Sequence, residues 1–295
     1  MVMRTYNDIY IDARKVLKAA AGEGTPEEIN AAVSTEARLL LAFAAEKTVS
    51  EFVRDMRLYT TPDYEKKAMA LIERRAAGEP AAYITGGWEF FGLPMIVTPD
   101  VLIPRVDTEV VAEAAMGLIK DMENPRVLDL CTGSGCIGIS IAKNVEKARL
   151  VMADKSAAAL KIARQNTMIN KVSARCMCVE ADALEPPGPM MSRFDLIISN
   201  PPYIPADDIA GLDTSVREFE PLMALDGGDD GLIFYRSICE NWKKALNPGG
   251  WLVFECGIGQ SGDIRAIGEA VGLEWVASVK DTIDVERAVI FKNNI

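Results

Sequence analysis

Asn200-Pro201-Pro202-Tyr203 follows the apolar run Phe194-Asp195-Leu196-Ile197-Ile198-Ser199, which reads as a buried strand, so the four residues stand at a strand's carboxyl end. Two consecutive prolines fix φ and donate no N–H, leaving stiff backbone carbonyls free to accept hydrogen bonds. An acceptor site of this kind suits a planar amide or aryl amine, whose nitrogen lone pair is delocalised and poorly nucleophilic. If the Asn200 side-chain oxygen and the Pro201 carbonyl accept the two N–H hydrogens, the nitrogen is favoured in a pyramidal form whose lone pair can face an electrophilic methyl. Such alignment draws on the roughly 7–11 kcal/mol that proximity and orientation supply in well-arranged reactions, and it needs no titrating base. Tyr203 is placed to stack on the planar group. The plain alternative is a proline-stiffened strand exit without chemistry.

A second constellation precedes it. Val127-Leu128-Asp129-Leu130 runs as a strand into Cys131-Thr132-Gly133-Ser134-Gly135 and then a helix. Gly133 and Gly135 permit positive φ and close approach of a ligand, and the helix N-terminus presents unpaired N–H groups to an anionic one. Gly133, Gly135 and Gly138 also satisfy the dinucleotide fingerprint, with Asp154 at the next strand end where an acid meets ribose hydroxyls, so this motif alone leaves a nicotinamide enzyme as a rival. Asp129 lies where it can meet an ammonium group, which together with the amide-gripping motif favours a cofactor with an α-amino acid part over a pyrophosphate. Asp182 is placed to accept from an adenine amine, though a solvated loop acid accounts for it equally well.

The elements that must position these residues alternate from Asp107 onward. Strands are expected at Arg126–Leu130, Leu150–Asp154, Arg175–Glu180, Phe194–Ser199, Gly250–Glu255, Trp275–Val279 and Arg287–Lys292. Helices fall between them, including Ala157–Asn170 and one around Leu232–Leu246. That pattern predicts an α/β fold with a doubly wound, Rossmann-like, mainly parallel sheet of about seven strands, whose ligands sit at the strands' carboxyl ends. Residues 1–82 read instead as a small all-α domain of four or five helices, with Thr25-Pro26-Glu27-Glu28 as a capping box and Thr61-Pro62 opening a second run. Between them, 83–106 reads as a linking β-hairpin in the stretch Trp88 to Pro104, leaving 107–295 as the cofactor domain.

Composition narrows the chemistry further. The 295 residues carry a net charge of −11, which weakens any sequence-independent grip on a phosphate backbone, so no specific nucleic acid partner is expected. There is no His, which removes Ser-His and Cys-His pairs, His-ligated zinc and an imidazole base, and no metal site is expected. Six Cys at 131, 136, 176, 178, 239 and 256 show no C-x-x-C pair and read as reduced structural thiols. No apolar run approaches the roughly 18–20 residues of a membrane helix, and Met1 to Lys15 has no signal-peptide block, so the cytoplasm is the expected location. Met190-Met191, after Pro186-Pro187-Gly188-Pro189, reads as core filling and a mobile loop.

These residues carry a resemblance. The chain resembles the class I S-adenosylmethionine-dependent methyltransferases that act on nitrogen of planar groups, and more closely the release-factor glutamine methyltransferases. The similarity runs through Gly78-Glu79-Pro80, Tyr83-Ile84-Thr85-Gly86, Glu89 to Leu93, Leu102-Ile103-Pro104-Arg105 and Asp107-Thr108-Glu109. It continues through Asp129 to Cys136, Asn200 to Ile204, Glu220-Pro221, Gly227 to Leu232 and Glu255-Cys256-Gly257 with Gln260. It implies methyl transfer from S-adenosylmethionine, with S-adenosylhomocysteine as product, to the glutamine side chain in the Gly-Gly-Gln loop of peptide chain release factors. It further implies that Cys131, Thr132, Gly133, Ser134, Gly135 and Asp154 hold the methionine and ribose parts, with Asn200 also against the cofactor. Ala183 would lie beside the adenine, Asn200 to Tyr203 would grip the glutamine, and the helical N-terminal domain would help dock the factor. Cys131 departs from the family's usual Gly, where a Cβ would narrow the pocket or demand an unusual φ, and Val106 replaces the usual residue after Arg105. Arg105 and Glu109 read equally as site residues or as surface ion pairs. A DNA adenine methyltransferase, which would hold a flipped base in the same motif, and a noncatalytic scaffold that kept the fold are the competing readings.

Overall fold

A computed structural model describes residues 3–22, 24–189 and 191–294; Met1 and Met190 lie outside the described residues. The chain forms two compact units, Met1–Gly86 and Gly87–Ile295.

The first unit is helical, with α1 (Tyr6–Ala19), α2 (Pro26–Ala44), α3 (Val49–Arg54), α4 (Pro62–Ala76) and α5 (Ala81–Thr85). Thr5, Thr25 and Thr48 each accept from the backbone three residues on, and Asp8, Glu28 and Glu51 return the bond to the cap backbone. Each such cap contributes about 1 kcal/mol by satisfying donors that have no intrahelical partner. Ile9, Leu17, Val33, Leu40, Leu41, Phe52 and Ile72 close on one another as this unit's own core.

The second unit opens with an antiparallel hairpin, β1 (Gly87–Phe90) and β2 (Leu93–Ile96), turned at Phe91 and Gly92, both at positive φ. The hairpin is shorter than the Trp88 to Pro104 expected, because 97–105 leaves the ladder and runs on to α6 (Asp107–Ile119). It also lies with the larger unit. Buried Asn166 accepts from Ile96 N at 2.7 Å and donates to Ile96 O at 3.0 Å, while Asn170 donates to Pro94 O at 2.8 Å.

The remaining elements are β3 (Arg126–Leu130), α7 (Cys136–Asn144), β4 (Arg149–Asp154), α8 (Ala157–Ile169), β5 (Cys176–Glu180), β6 (Phe194–Ser199), α9 (Thr214–Arg217), α10 (Ile233–Asn241), β7 (Leu246–Glu255), α11 (Ser261–Ala270), β8 (Glu274–Lys280) and β9 (Glu286–Lys292). The seven-stranded sheet has the order β5-β4-β3-β6-β7-β9-β8; β5, β4, β3, β6 and β7 are parallel, and β9 pairs antiparallel with both neighbours. The sheet is the α/β, Rossmann-like arrangement expected, and its order reverses between β3 and β6, the switch point where ligands of such sheets bind. Leu128, Leu130, Val151, Ile197, Leu252 and Phe254 pack with Tyr235, Ile238, Trp242 and Ile264 in a core on one face. On the other face α6, α7 and α8 cover the same strands. Among the described residues, no helix is long and apolar enough to cross a membrane.

Candidate active site

At the switch point lies a cavity of about 240 Å³. Its walls are the turn after β3, the ends of β4 and β5, the exit of β6, the segment 99–105 and part of the loop 205–231. Of the residues singled out from sequence, Cys131, Thr132, Gly133, Ser134, Asp154, Asp182, Ala183, Asn200 and Pro202 line it. Asp129, Gly135, Pro201 and Tyr203 are not part of its lining.

Asp129 is buried at the end of β3, where its Oδ2 accepts from the Thr132 hydroxyl at 2.6 Å and from Gly138 N at 2.9 Å. It therefore pins the turn to the first turn of α7. Burial pushes its carboxyl up to about 7, although the Thr132 hydroxyl and the Gly138 amide favour the charged form. Its Oδ1 is buried without a hydrogen-bond partner. Two glycines, one closing the turn and one in the first turn of α7, leave no room for a side chain. At Gly135, φ is +84° and a Cβ would lie 2.4 Å from the Met152 side chain, while at Gly138 one would lie 2.9 Å from Asp129 Oδ2.

Cys131 opens this turn at φ +62°, the left-handed conformation that glycine adopts without cost. The unusual φ that the sequence made conditional on Cys131 is therefore present. Burial raises the thiol far above its ordinary value, with Asp154 adding to the effect, so this sulfur is protonated and no nucleophile.

Asp154 ends β4 and accepts from Gly133 N at 2.9 Å and Ser156 N at 2.8 Å, so one carboxylate orders two successive loops. Asp182 accepts from Leu184 N at 2.9 Å and pairs with Lys155 at 2.8 Å, at the cavity's edge. Ala183 is buried, its carbonyl accepting from the Ser237 hydroxyl at 2.8 Å and the Trp242 indole at 3.2 Å. Two acids at successive strand ends, a glycine-bearing turn and an orphaned carboxylate oxygen beneath it suit a cofactor with a cationic amino-acid part and a nucleoside part.

On the facing wall, Ser199 Oγ donates to Leu130 O at 2.6 Å and ties the end of β6 to that of β3. Asn200 then projects beside Thr108 of α6, its Nδ2 donating to Thr108 Oγ1 at 3.5 Å. Pro201 and Pro202 are buried, and Tyr203 packs against the sheet core. The Tyr203 carbonyl accepts from Gln260 Nε2 at 3.0 Å, and Gln260 Oε1 accepts from Gly257 N at 3.0 Å, which holds the prolyl segment against the loop after β7.

Arg105 lines the cavity and pairs with Glu220 at 2.5 Å, and Glu220 Oε2 also accepts from Ile103 N at 3.3 Å. The ion pair thus joins two walls of the cavity. Glu109 accepts from Phe91 N at 2.7 Å, supporting the hairpin turn instead of the cavity. Val106 is exposed. Sequence reasoning passed over Thr108, Glu220 and Glu255 as site residues. Glu255 is an acid ending an apolar strand at the same edge as Asn200, the signal that singled out Asp129 and Asp154.

Residues 109–212 match the Methyltransferase small domain, and residues 10–86 match the PrmC N-terminal domain. The chain is 40% identical to a release factor glutamine methyltransferase of Geobacter sulfurreducens, over 94% of this chain and 95% of that one. It is 42% identical to one of Bordetella pertussis, over 77% and 82%. A methyltransferase from Pyrococcus furiosus shares the fold with a TM-score of 0.51 at 18% identity, over 77% of this chain and 98% of that one. The chain belongs to the release factor glutamine methyltransferase family.

Proposed function

We propose that this protein transfers a methyl group from S-adenosylmethionine to the side-chain amide nitrogen of the glutamine in the Gly-Gly-Gln motif of peptide chain release factors, in the cytoplasm where translation ends. The observation that carries this reading is the presence of Asn200 in the same cavity as the turn Cys131–Ser134. An amide acceptor and a cofactor cradle then face one space.

S-adenosylmethionine, when bound, supplies a methyl carbon made electrophilic by its sulfonium. Asp129 beneath the turn, with its unpaired Oδ1, offers negative charge to the cationic amino-acid part, while Asp154 and Asp182 offer acceptors to the nucleoside part. Asn200 Oδ1 and the Pro201 carbonyl accept the two N–H hydrogens of the substrate amide and hold its nitrogen lone pair toward the cofactor side of the cavity. As the nitrogen turns pyramidal, its N–H groups grow more acidic and the two acceptors bind them more strongly, which favours the transition state over the ground state; the methylated nitrogen then gives up one of the two protons to water, since neither acceptor is a base that would keep it. The buried prolines keep those acceptors from relaxing. The helical first unit supplies recognition of the release factor.

The test is transfer of a labelled methyl to purified release factor, to the same factor with its Gly-Gly-Gln glutamine replaced, and to duplex DNA. Label on the intact factor alone is expected. Label on DNA, or on the glutamine-replaced factor, would overturn the assignment.

A further inference from the structure

We infer that Glu255 is a positioning residue for the transfer, its buried carboxylate holding the Asn200 side chain with Nδ2 turned back into the protein and Oδ1 turned to the substrate amide. The inference rests on the proposed function and deepens it. Ser199 pairs with Phe254 across β6 and β7, so Asn200 and Glu255 are the next residues at the same edge. Asn200 Nδ2 donates to Thr108 Oγ1 at 3.5 Å, and this Thr108–Asn200 pair stands close enough to the Glu255 carboxyl to favour its charged form.

An asparagine amide can present either its oxygen or its NH2 to a ligand, and only the oxygen accepts a substrate N–H. Thr108 does not settle the choice, because a hydroxyl can donate or accept. A carboxylate accepts only. Placed behind Asn200, it disfavours the rotamer that would turn Oδ1 inward, oxygen against oxygen, and so selects the productive one. Glu255 is 3% exposed, and its Oε2 is buried without a hydrogen-bond partner. A buried acid left in that condition weakens the fold, a cost that a role in the site accounts for.

The charged and titratable groups around Glu255 do not take over this role. Arg287 of β9 is held by Asp107 at 2.8 Å and Asp281 at 2.9 Å. Asp107 of α6 carries like charge, and Tyr203, Tyr235 of α10, Cys136 of α7 and Cys256 are all held protonated by burial. Burial raises the Glu255 carboxyl to about 7, so the acceptor-only form gains population as pH rises through that value.

The experiment compares the full chain with Glu255→Gln, measuring methyl transfer to release factor between pH 5.5 and 9 at saturating cofactor, so that titration of Asp129 under the cofactor turn is not read. For the wild type, kcat is expected to rise with pH through about 7. Glu255→Gln, which offers a donor as well as an acceptor, is expected to lose that limb and to lower kcat by about 10- to 100-fold, the scale of a misplaced reacting group. Cofactor affinity by calorimetry should stay within about twofold, and KM for the factor should change less than kcat, because the bond to Asn200 Oδ1 strengthens as the nitrogen turns pyramidal. Unchanged kcat with the limb retained, or a loss confined to KM, overturns the inference. A flat wild-type profile does so without any variant. A wild type that binds cofactor yet labels no release factor overturns the proposed function, and this inference with it.

Discussion

Asn200 carries the one side-chain acceptor that the proposed transfer requires, and its removal should act on kcat more than on binding. Asn200→Ala is expected to lower kcat by about 100-fold, with cofactor affinity nearly unchanged; steady-state transfer assays and calorimetry on the same preparation check both halves. Cys131 makes a different prediction, about stability. Its φ of +62° costs a non-glycine residue about 1–2 kcal/mol. Cys131→Gly removes that strain and offsets it with glycine's greater entropy loss, whereas Cys131→Ala keeps the strain and gives up the sulfur's packing. Urea denaturation should therefore rank Gly above Ala by about 1 kcal/mol. Glu255 makes a third, with a definite sign. Its folded-state carboxyl titrates near 7, above the ordinary 4.5, so its cost to the fold is absent below about pH 4.5, grows up to about pH 7 and is complete beyond. Glu255→Gln should accordingly gain stability relative to wild type between pH 5 and pH 8, by an amount on the order of 3 kcal/mol. Asp129 shifts the same way but is present in both proteins and cancels.

Among the elements, the cofactor turn depends on a hairpin far away in sequence. Asn166 of α8 joins Ile96 of β2 to the Ser134 carbonyl, to which its Nδ2 donates at 2.9 Å. Asn166→Ala would leave three backbone groups without partners in a buried place, and a loss of about 2–3 kcal/mol in chemical denaturation is expected, together with weaker cofactor binding. How far such features can be read from sequence depends on the range of the interaction. β3 and β6 have the bounds expected, because a strand buried on both faces reads as a mostly apolar run, here interrupted once in each by Asp129 and Asp195. β7 begins at Leu246 instead of Gly250, since Phe194 pairs with Leu246 and Leu196 with Trp251, and the extra residues between them contain Pro248 and Gly249, which read as a turn. The turn after β3 and the Asn200 motif were legible because each is a contiguous string with its own backbone chemistry. Thr108 and Glu220 were not, because what makes them part of the site is proximity across more than ninety residues of chain, and no local period records that; Glu255 carried the strand-end signal of Asp129 and Asp154, but only the sheet order sets it beside Asn200.

For the whole molecule, the two units each close a core of their own, and the cavity is built entirely from residues of the second. A cavity whose every wall lies beyond Gly87 has no need of the first unit to bind cofactor or to hold Asn200. The first unit is instead an independently capped helical body, which suits recognition of a large substrate better than support of a small site. The chain from Gly87 to Ile295 should therefore fold alone and bind S-adenosylmethionine with an affinity within about threefold of the full chain, less than 1 kcal/mol. Methyl transfer to release factor should separate the two roles. If the helical unit contributes docking energy alone, KM rises by at least about tenfold, or 1.4 kcal/mol, while kcat at saturating factor is retained. A kcat that collapses with KM unchanged would mean that the helical unit helps orient the glutamine, and unchanged kinetics would remove it from recognition altogether.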